Sequence, residues 1–256
     1  MPRSIDGGSA ELAVLPHEGT HSIMYGGWPI PIGSGLRTGY LARPDSAGKY
    51  PVVLVLPTVA GLSGFEKDLC RALARSGVVA IGIDFYRQRG DPLESYHALT
   101  DSRAMTDLDE VHEFVESDDV GWAVSGDLGV LGLDVGGRFG IIAAATRPWI
   151  RALAVVCTPL TGDDEREFQV EGYLDHLPVP VLGLYGAEDA LIDVGTVDEA
   201  QRRNEHGQWI LYEGAGHDFL DVDAELYHAD SAADALPRLV EFFKSALPRA
   251  QEVDLG

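Results

Sequence analysis

The sequence predicts an α/β fold, with a mostly parallel central sheet covered by helices on both faces. Three observations carry that expectation. Short apolar runs recur along the chain, and stretches with helical spacing of apolar residues separate them. The run Pro51-Val52-Val53-Leu54-Val55-Leu56 is apolar at every position, as a strand covered on both faces must be. A glycine-rich turn, Gly132-Leu133-Asp134-Val135-Gly136-Gly137, joins another such run to an alanine-rich helical stretch.

The elements follow in order. Glycine and proline punctuate residues 26–44, where residues 38–42 are expected to form a short edge strand or hairpin arm. Residues 51–56 make the first buried strand. Ser63 then caps a helix whose buried stripe is Phe65, Leu69 and Leu73, at i, i+4 and i+8. Residues 78–84 read as a strand, 106–117 as a helix, 127–133 as a strand and 135–146 as the helix after the glycine-rich turn. Strands at 152–157, 179–185 and 208–212 alternate with helices at 197–204 and 232–247. Pro237 has no N–H to give and its ring crowds the preceding turn, so the last helix is expected to begin at it or kink near it. Right-handed crossovers between parallel strands put the helices on both faces. One domain is expected over residues 1–256, with the ends, about 1–20 and 249–256, loosely ordered.

Composition bounds the function. The 256 residues, 45% hydrophobic and 23% charged, suffice for one large core. A formal net charge of −22 repels polyanions, so neither nucleic acid nor an anionic membrane surface is an expected partner. The longest apolar runs, 51–57 and 78–83, are too short to span a bilayer. These features describe a soluble, cytoplasmic protein, a monomer or small homo-oligomer, whose partner is a small-molecule substrate. Cys70 and Cys157 lie in apolar segments and read as buried thiols. The histidines show no ligand spacing, and no metal and no cofactor is expected.

In open α/β sheets, reactive groups gather at the carboxyl ends of the strands. Three residues stand there. Asp134 ends one strand, Asp189 follows a later one in Tyr185-Gly186-Ala187-Glu188-Asp189, and His217 follows the final one in Gly214-Ala215-Gly216-His217. The strand, tight turn and helix around Asp134 form a nucleophile elbow, whose glycines leave room for a strained backbone. The chain order is elbow residue, acid, then histidine, which is the order of α/β-hydrolases.

The chain resembles the dienelactone hydrolase family on residues 51–61, Ile83-Asp84-Phe85-Tyr86, the elbow, Tyr185-Gly186-Ala187-Glu188-Asp189, Gly216-His217-Asp218-Phe219 and the paired Phe242-Phe243. The resemblance implies an α/β-hydrolase fold without a large cap domain, and hydrolysis of an ester, a lactone or a related electrophile. It implies that Asp189 and His217 are the acid and base, and that the backbone N–H groups of Val135 and Val59 form an oxyanion hole. Family members use Cys or Ser at the elbow, where this chain has Asp134. Thr58 stands where well-known members carry glutamate. Thr58, Tyr86, Arg87 and Arg89 are the candidates for substrate contacts.

A carboxylate at the elbow narrows the chemistry. Attack on an ester would give a mixed anhydride, whereas attack on saturated carbon gives an alkyl-enzyme ester that a histidine-activated water can hydrolyse. Dehalogenases and epoxide hydrolases resemble that arrangement, but the segment after Cys157 is too short for their helical cap. General-base activation of water by Asp134, and a ligand-binding protein that has lost turnover, are the other readings.

Overall fold

The computed structural model describes residues 19–33, 35–86, 91–161 and 168–252. Its centre is built by the continuous apolar runs. Strands β3 (Gly48–Leu56), β4 (Val79–Ile83), β5 (Ala123–Leu133), β6 (Ile150–Val156), β7 (Val181–Gly186) and β8 (Gln208–Tyr212) lie parallel in the order β4-β3-β5-β6-β7-β8. Residues 52–56 of β3 are at most 1% exposed, because helices cover both faces. This is an α/β-hydrolase fold.

The region rich in glycine and proline holds more structure than the expected short arm. Strands β1 (Ile23–Ile32) and β2 (Gly35–Pro44) form a long antiparallel hairpin that extends the sheet past β4. Pro29 and Pro31 are tolerated because β1 is the outer edge, where a missing N–H breaks no further ladder. At the other end of the chain, β9 (Gln251–Glu252) pairs with Gly48 and Lys49, within a segment expected to be loosely ordered.

The helices are α1 (Gly64–Arg75), α2 (Pro92–Ala98), α3 (Asp101–Glu116), α4 (Gly136–Thr146), α5 (Glu171–Leu174), α6 (Val194–Arg203) and α7 (Ala229–Ala246). Helix α4 is buried from Gly136 to Ala144, and it packs on β3, β5 and β6. Arg138 on α4 is held by a bidentate ion pair to the fully buried Asp101 at the start of α3, at 2.9 and 2.7 Å. That pair fixes how the first turn of α4 meets the sheet.

Pro237 neither starts nor ends its helix, contrary to the first of the two expectations; α7 runs through it from Ala229. The carbonyl it leaves without a helical partner belongs to Ala233, an exposed residue, so the loss falls on the solvent side of the helix. Among the described residues, no helix is long and apolar enough to cross a membrane.

Candidate functional site

The elbow forms because glycine lets backbones touch. A Cβ on Gly132 would stand 2.3 Å from the Cα of Gly137, and one on Gly136 would stand 2.4 Å from the carbonyl oxygen of Pro57. A Cβ on Gly137 would collide with the side chain of Thr158. Their absence lets α4 begin directly against β3 and β6. Asp134 takes the left-handed backbone that this turn demands, with φ of 47°, and Asp tolerates that region better than most residues. Its N–H donates to the carbonyl of Val156 at 2.9 Å, so the turn is tied to the neighbouring strand. The positive end of α4 then lies beneath the Asp134 carboxylate.

Asp189 and His217 are brought to the same place by a second close approach. A Cβ on Gly186 would stand 2.3 Å from the carbonyl oxygen of Ala215, so only glycine lets the loop after β7 lie against the loop after β8. Glu188 N–H donates to Ala215, which locks the two loops together. One oxygen of Asp189 accepts from the N–H groups of Leu191 and Ile192, at 2.8 and 3.1 Å. The other accepts from His217 Nδ1 at 2.8 Å. Of the nearby acids, Asp193 caps α6 and Glu188 is exposed, leaving Asp189 as the partner of the histidine.

His217 Nε2 faces Asp134 Oδ1 at 3.5 Å, so the imidazole bridges two carboxylates. Burial alone would lower its pKa. Hydrogen bonds to Asp134 and Asp189, with the charges of both, outweigh burial and raise it to about 9. A cavity of about 20 Å³ opens over this pair, walled by Phe65, Leu133, Val156 and Leu220 and edged by Thr58, Asp134, Cys157 and Asp218. That is room for one water-sized group among polar partners. A second small cavity, bounded by Tyr96, Val135, Arg138, Pro159 and Val170, lies on the other side of the elbow.

The two oxyanion-hole candidates lie at the elbow and in the loop after β3. Val135 follows Asp134, precedes α4 and also bounds the second cavity, and Val59 lies in that loop. Among the described residues, neither N–H has a hydrogen-bond partner. Thr58 edges the first cavity. Its N–H and hydroxyl both donate to Glu66, at 3.1 and 2.8 Å. Glu66 is fully buried, and its other oxygen accepts from Ser63 in a capping box. This clamp holds the Thr58–Val59 loop; sequence reasoning misses it, although the Ser63-x-x-Glu66 spacing signals the half that lies within the helix. Tyr86 is 1% exposed and lines neither cavity; its hydroxyl donates to the Pro57 carbonyl, behind the loop. Arg87 and Arg89 lie outside the described residues.

Cys157 is the unexpected member. It ends β6, between β5 and β7, and has the same φ of 47° as Asp134. Its thiol is buried as the sequence suggests, yet it converges on the site: Cys157, Asp189 and His217 each bring a ligand-type atom within 4.8 Å of the others. Burial, with Asp189, Asp218 and Asp134 nearby, pushes the thiol pKa up, so it is no ready nucleophile.

Comparison with known proteins identifies the family. The model of the dienelactone hydrolase family matches residues 38–247. A Yersinia pestis protein provisionally named carboxymethylenebutenolidase is 31% identical over 258 residues, covering 91% of this chain and 94% of its own length. An Escherichia coli K12 protein with the same provisional name is 33% identical over 243 residues, 87% of this chain and 88% of that protein. The crystal structure of a Klebsiella pneumoniae protein, provisionally named dienelactone hydrolase, superposes with a TM-score of 0.79 at 29% identity, covering 87% of this chain and 99% of that one. Dienelactone hydrolase from Anabaena variabilis gives a TM-score of 0.71 at 17% identity over 89% of this chain and 100% of that one, a likeness of fold alone.

Proposed function

The chain belongs to the dienelactone hydrolase family and is a hydrolase of the ester and lactone type; on that premise we propose that Asp134, His217 and Asp189 are its reacting set and that the attacking group is water. The observation carrying this reading is the imidazole of His217 held between two carboxylates, 2.8 Å from Asp189 and 3.5 Å from Asp134. An elbow carboxylate attacking an ester would have to expel an alkoxide, a poorer leaving group than itself, to form a mixed anhydride. A water over the same carboxylate avoids that intermediate.

In this scheme a water in the cavity donates one hydrogen bond to Asp134 and faces Nε2 of neutral His217. The imidazole takes a proton as the water oxygen adds to the substrate carbonyl. Asp189 stabilises the imidazolium and fixes its tautomer through Nδ1–H. The carbonyl oxygen gains charge beside the N–H groups of Val135 and Val59. The tetrahedral adduct collapses, His217 returns the proton to the departing alkoxide, and acid and alcohol leave. The positioned base is worth roughly 10²–10⁴-fold in rate, and each oxyanion donor roughly 10²–10³-fold.

A single turnover in heavy-oxygen water tests the route. Water attack puts the label in the released acid and none in the enzyme. Label in the Asp134 carboxylate overturns it and establishes an aspartyl ester, the chemistry suited to a carbon–halogen or epoxide substrate.

A further inference from the structure

Three neighbouring strand ends deliver three different metal-binding atoms to one point. Cys157 follows β6, Asp189 follows β7 and His217 follows β8, and their sulfur, oxygen and nitrogen lie within 4.8 Å of one another. The Asp189 side chain is 1% exposed and that of His217 is 10% exposed, so the point is shielded from bulk water. Cys157 and His217 also edge the cavity over Asp134, which gives an ion a path inward. We propose that this chain holds a soft divalent cation of the zinc class on Cys157 Sγ, Asp189 and His217, and that occupancy switches hydrolysis off.

The chemistry of the donors selects the ion. A thiolate, an imidazole and a carboxylate together suit zinc, which takes such mixed sets at about 2.0–2.3 Å in a tetrahedron. Bonds of that length put ligand atoms roughly 3.5 Å apart, so the Asp189–His217 pair, now 2.8 Å apart, must open by under about 1 Å while any wider separation, at most 4.8 Å, closes by about 1 Å. Magnesium and calcium, which prefer oxygen alone, find a poor site here. A water completes the fourth position from the cavity side.

Binding is balanced in protons and involves no redox step. At neutral pH the metal displaces two protons, one from the Cys157 thiol and the Nδ1 proton of the His217 imidazolium; the freed Nδ1 lone pair and the Asp189 carboxylate, which gives up its hydrogen bond to Nδ1, bind the ion, and Nε2 keeps its proton. His217 then cannot accept a proton from water as the proposed hydrolysis requires. Asp134 stays outside the ligand set, because its contact is with Nε2 on the far edge of the ring.

Cobalt(II) titrated into the chelator-stripped full chain tests the site without any substrate. We expect one equivalent to bind, a thiolate-to-cobalt charge-transfer band in the near ultraviolet, and displacement by zinc. Cys157→Ser should abolish the band and weaken binding by at least about 100-fold, with an unchanged far-ultraviolet dichroism spectrum. Cys70→Ser and Asp134→Asn should keep the band. Absence of the band in the folded native chain overturns the proposal, as does its survival in Cys157→Ser. Because the readout is spectroscopic, failure here leaves the proposed water-attack route untouched, and failure of that route leaves the cobalt result standing.

Discussion

Asp134 and Cys157 end adjacent strands with the same left-handed backbone, yet only one stands where charge is welcome. After Asp134 the chain enters α4 at once, because Gly136 and Gly137 let the helix start against β3 and β6. The N-terminal end of α4 then begins next to the residue that bears the carboxylate, where a helix dipole favours negative charge. After Cys157 come Thr158 and Pro159, with no helix beginning there. Its thiol is buried, with Asp189 nearby, and is discouraged from ionising. Backbone strain therefore does not by itself make a reactive residue. Burial and the neighbouring groups separate the two residues.

The sharpest way to break this contrast is to remove each side chain. With an activated ester or lactone, Asp134→Ala and His217→Ala should each lower kcat/KM by about 10³-fold or more, roughly 4 kcal/mol of transition-state stabilisation. Cys157→Ser, assayed with a chelator present, should change it less than about threefold. Full activity in Asp134→Ala would remove Asp134 from every chemical scheme.

The second comparison concerns room. Gly137→Ala should destabilise the protein by about 3 kcal/mol, since its new methyl meets the buried Thr158. Urea midpoints would measure this. Adding Thr158→Gly should make the double variant more stable than the sum of the single changes implies, because the two positions share one contact. Strict additivity would show that the elbow does not lean on the loop after Cys157.

Protonation gives the third. His217, raised from 6.5 to about 9, is charged at neutral pH, so hydrolysis by the chelator-treated protein should climb with pH until about 9. Stability runs the other way: the imidazolium's contribution is complete below its ordinary value of 6.5 and is lost as pH rises through about 9. In Asp134→Asn the imidazole titration, followed by NMR, should move to lower pH. A profile unmoved by that change would mean that the 3.5 Å contact carries no charge coupling.

The smallest effect is expected at the clamp. Glu66→Gln keeps one carbonyl acceptor and loses the charge, so a loss of about 1–2 kcal/mol in stability is expected, with kcat falling less than about tenfold. A larger fall in kcat than in stability would make the Thr58–Val59 loop more sensitive than the elbow it faces.

Most of the sheet is legible in the sequence because its strands are buried on both faces and so read as unbroken apolar runs. Of the hairpin of β1 and β2 only residues 38–42 are legible, since an edge strand tolerates Gly26, Gly27, Pro29 and Pro31, which argue against a strand anywhere else. Helix α7 escapes in part because Pro237 disfavours a helix interior locally, while the buried stripe that holds α7 in place is a tertiary contact. Within the site, Asp134, Asp189 and His217 announce themselves by chain order and flanking glycines. Glu66 does not, since its reach to Thr58 is a tertiary contact beyond the local S-x-x-E pattern. Cys157 is legible as a buried thiol that ends a strand near the site; that β6 lies between β5 and β7, and so puts it beside His217, is a property of strand order.

The elbow also says something about inheritance. Its shape is set by Gly132, Gly136 and Gly137, and none of those contacts involves the side chain at position 134. A lineage can therefore exchange the reactive group by a change at one codon while the scaffold, the acid and the histidine pass on intact. Asp134 occupies a socket whose construction is older in the folding logic than its occupant, and reactions can be traded there without renegotiating the fold.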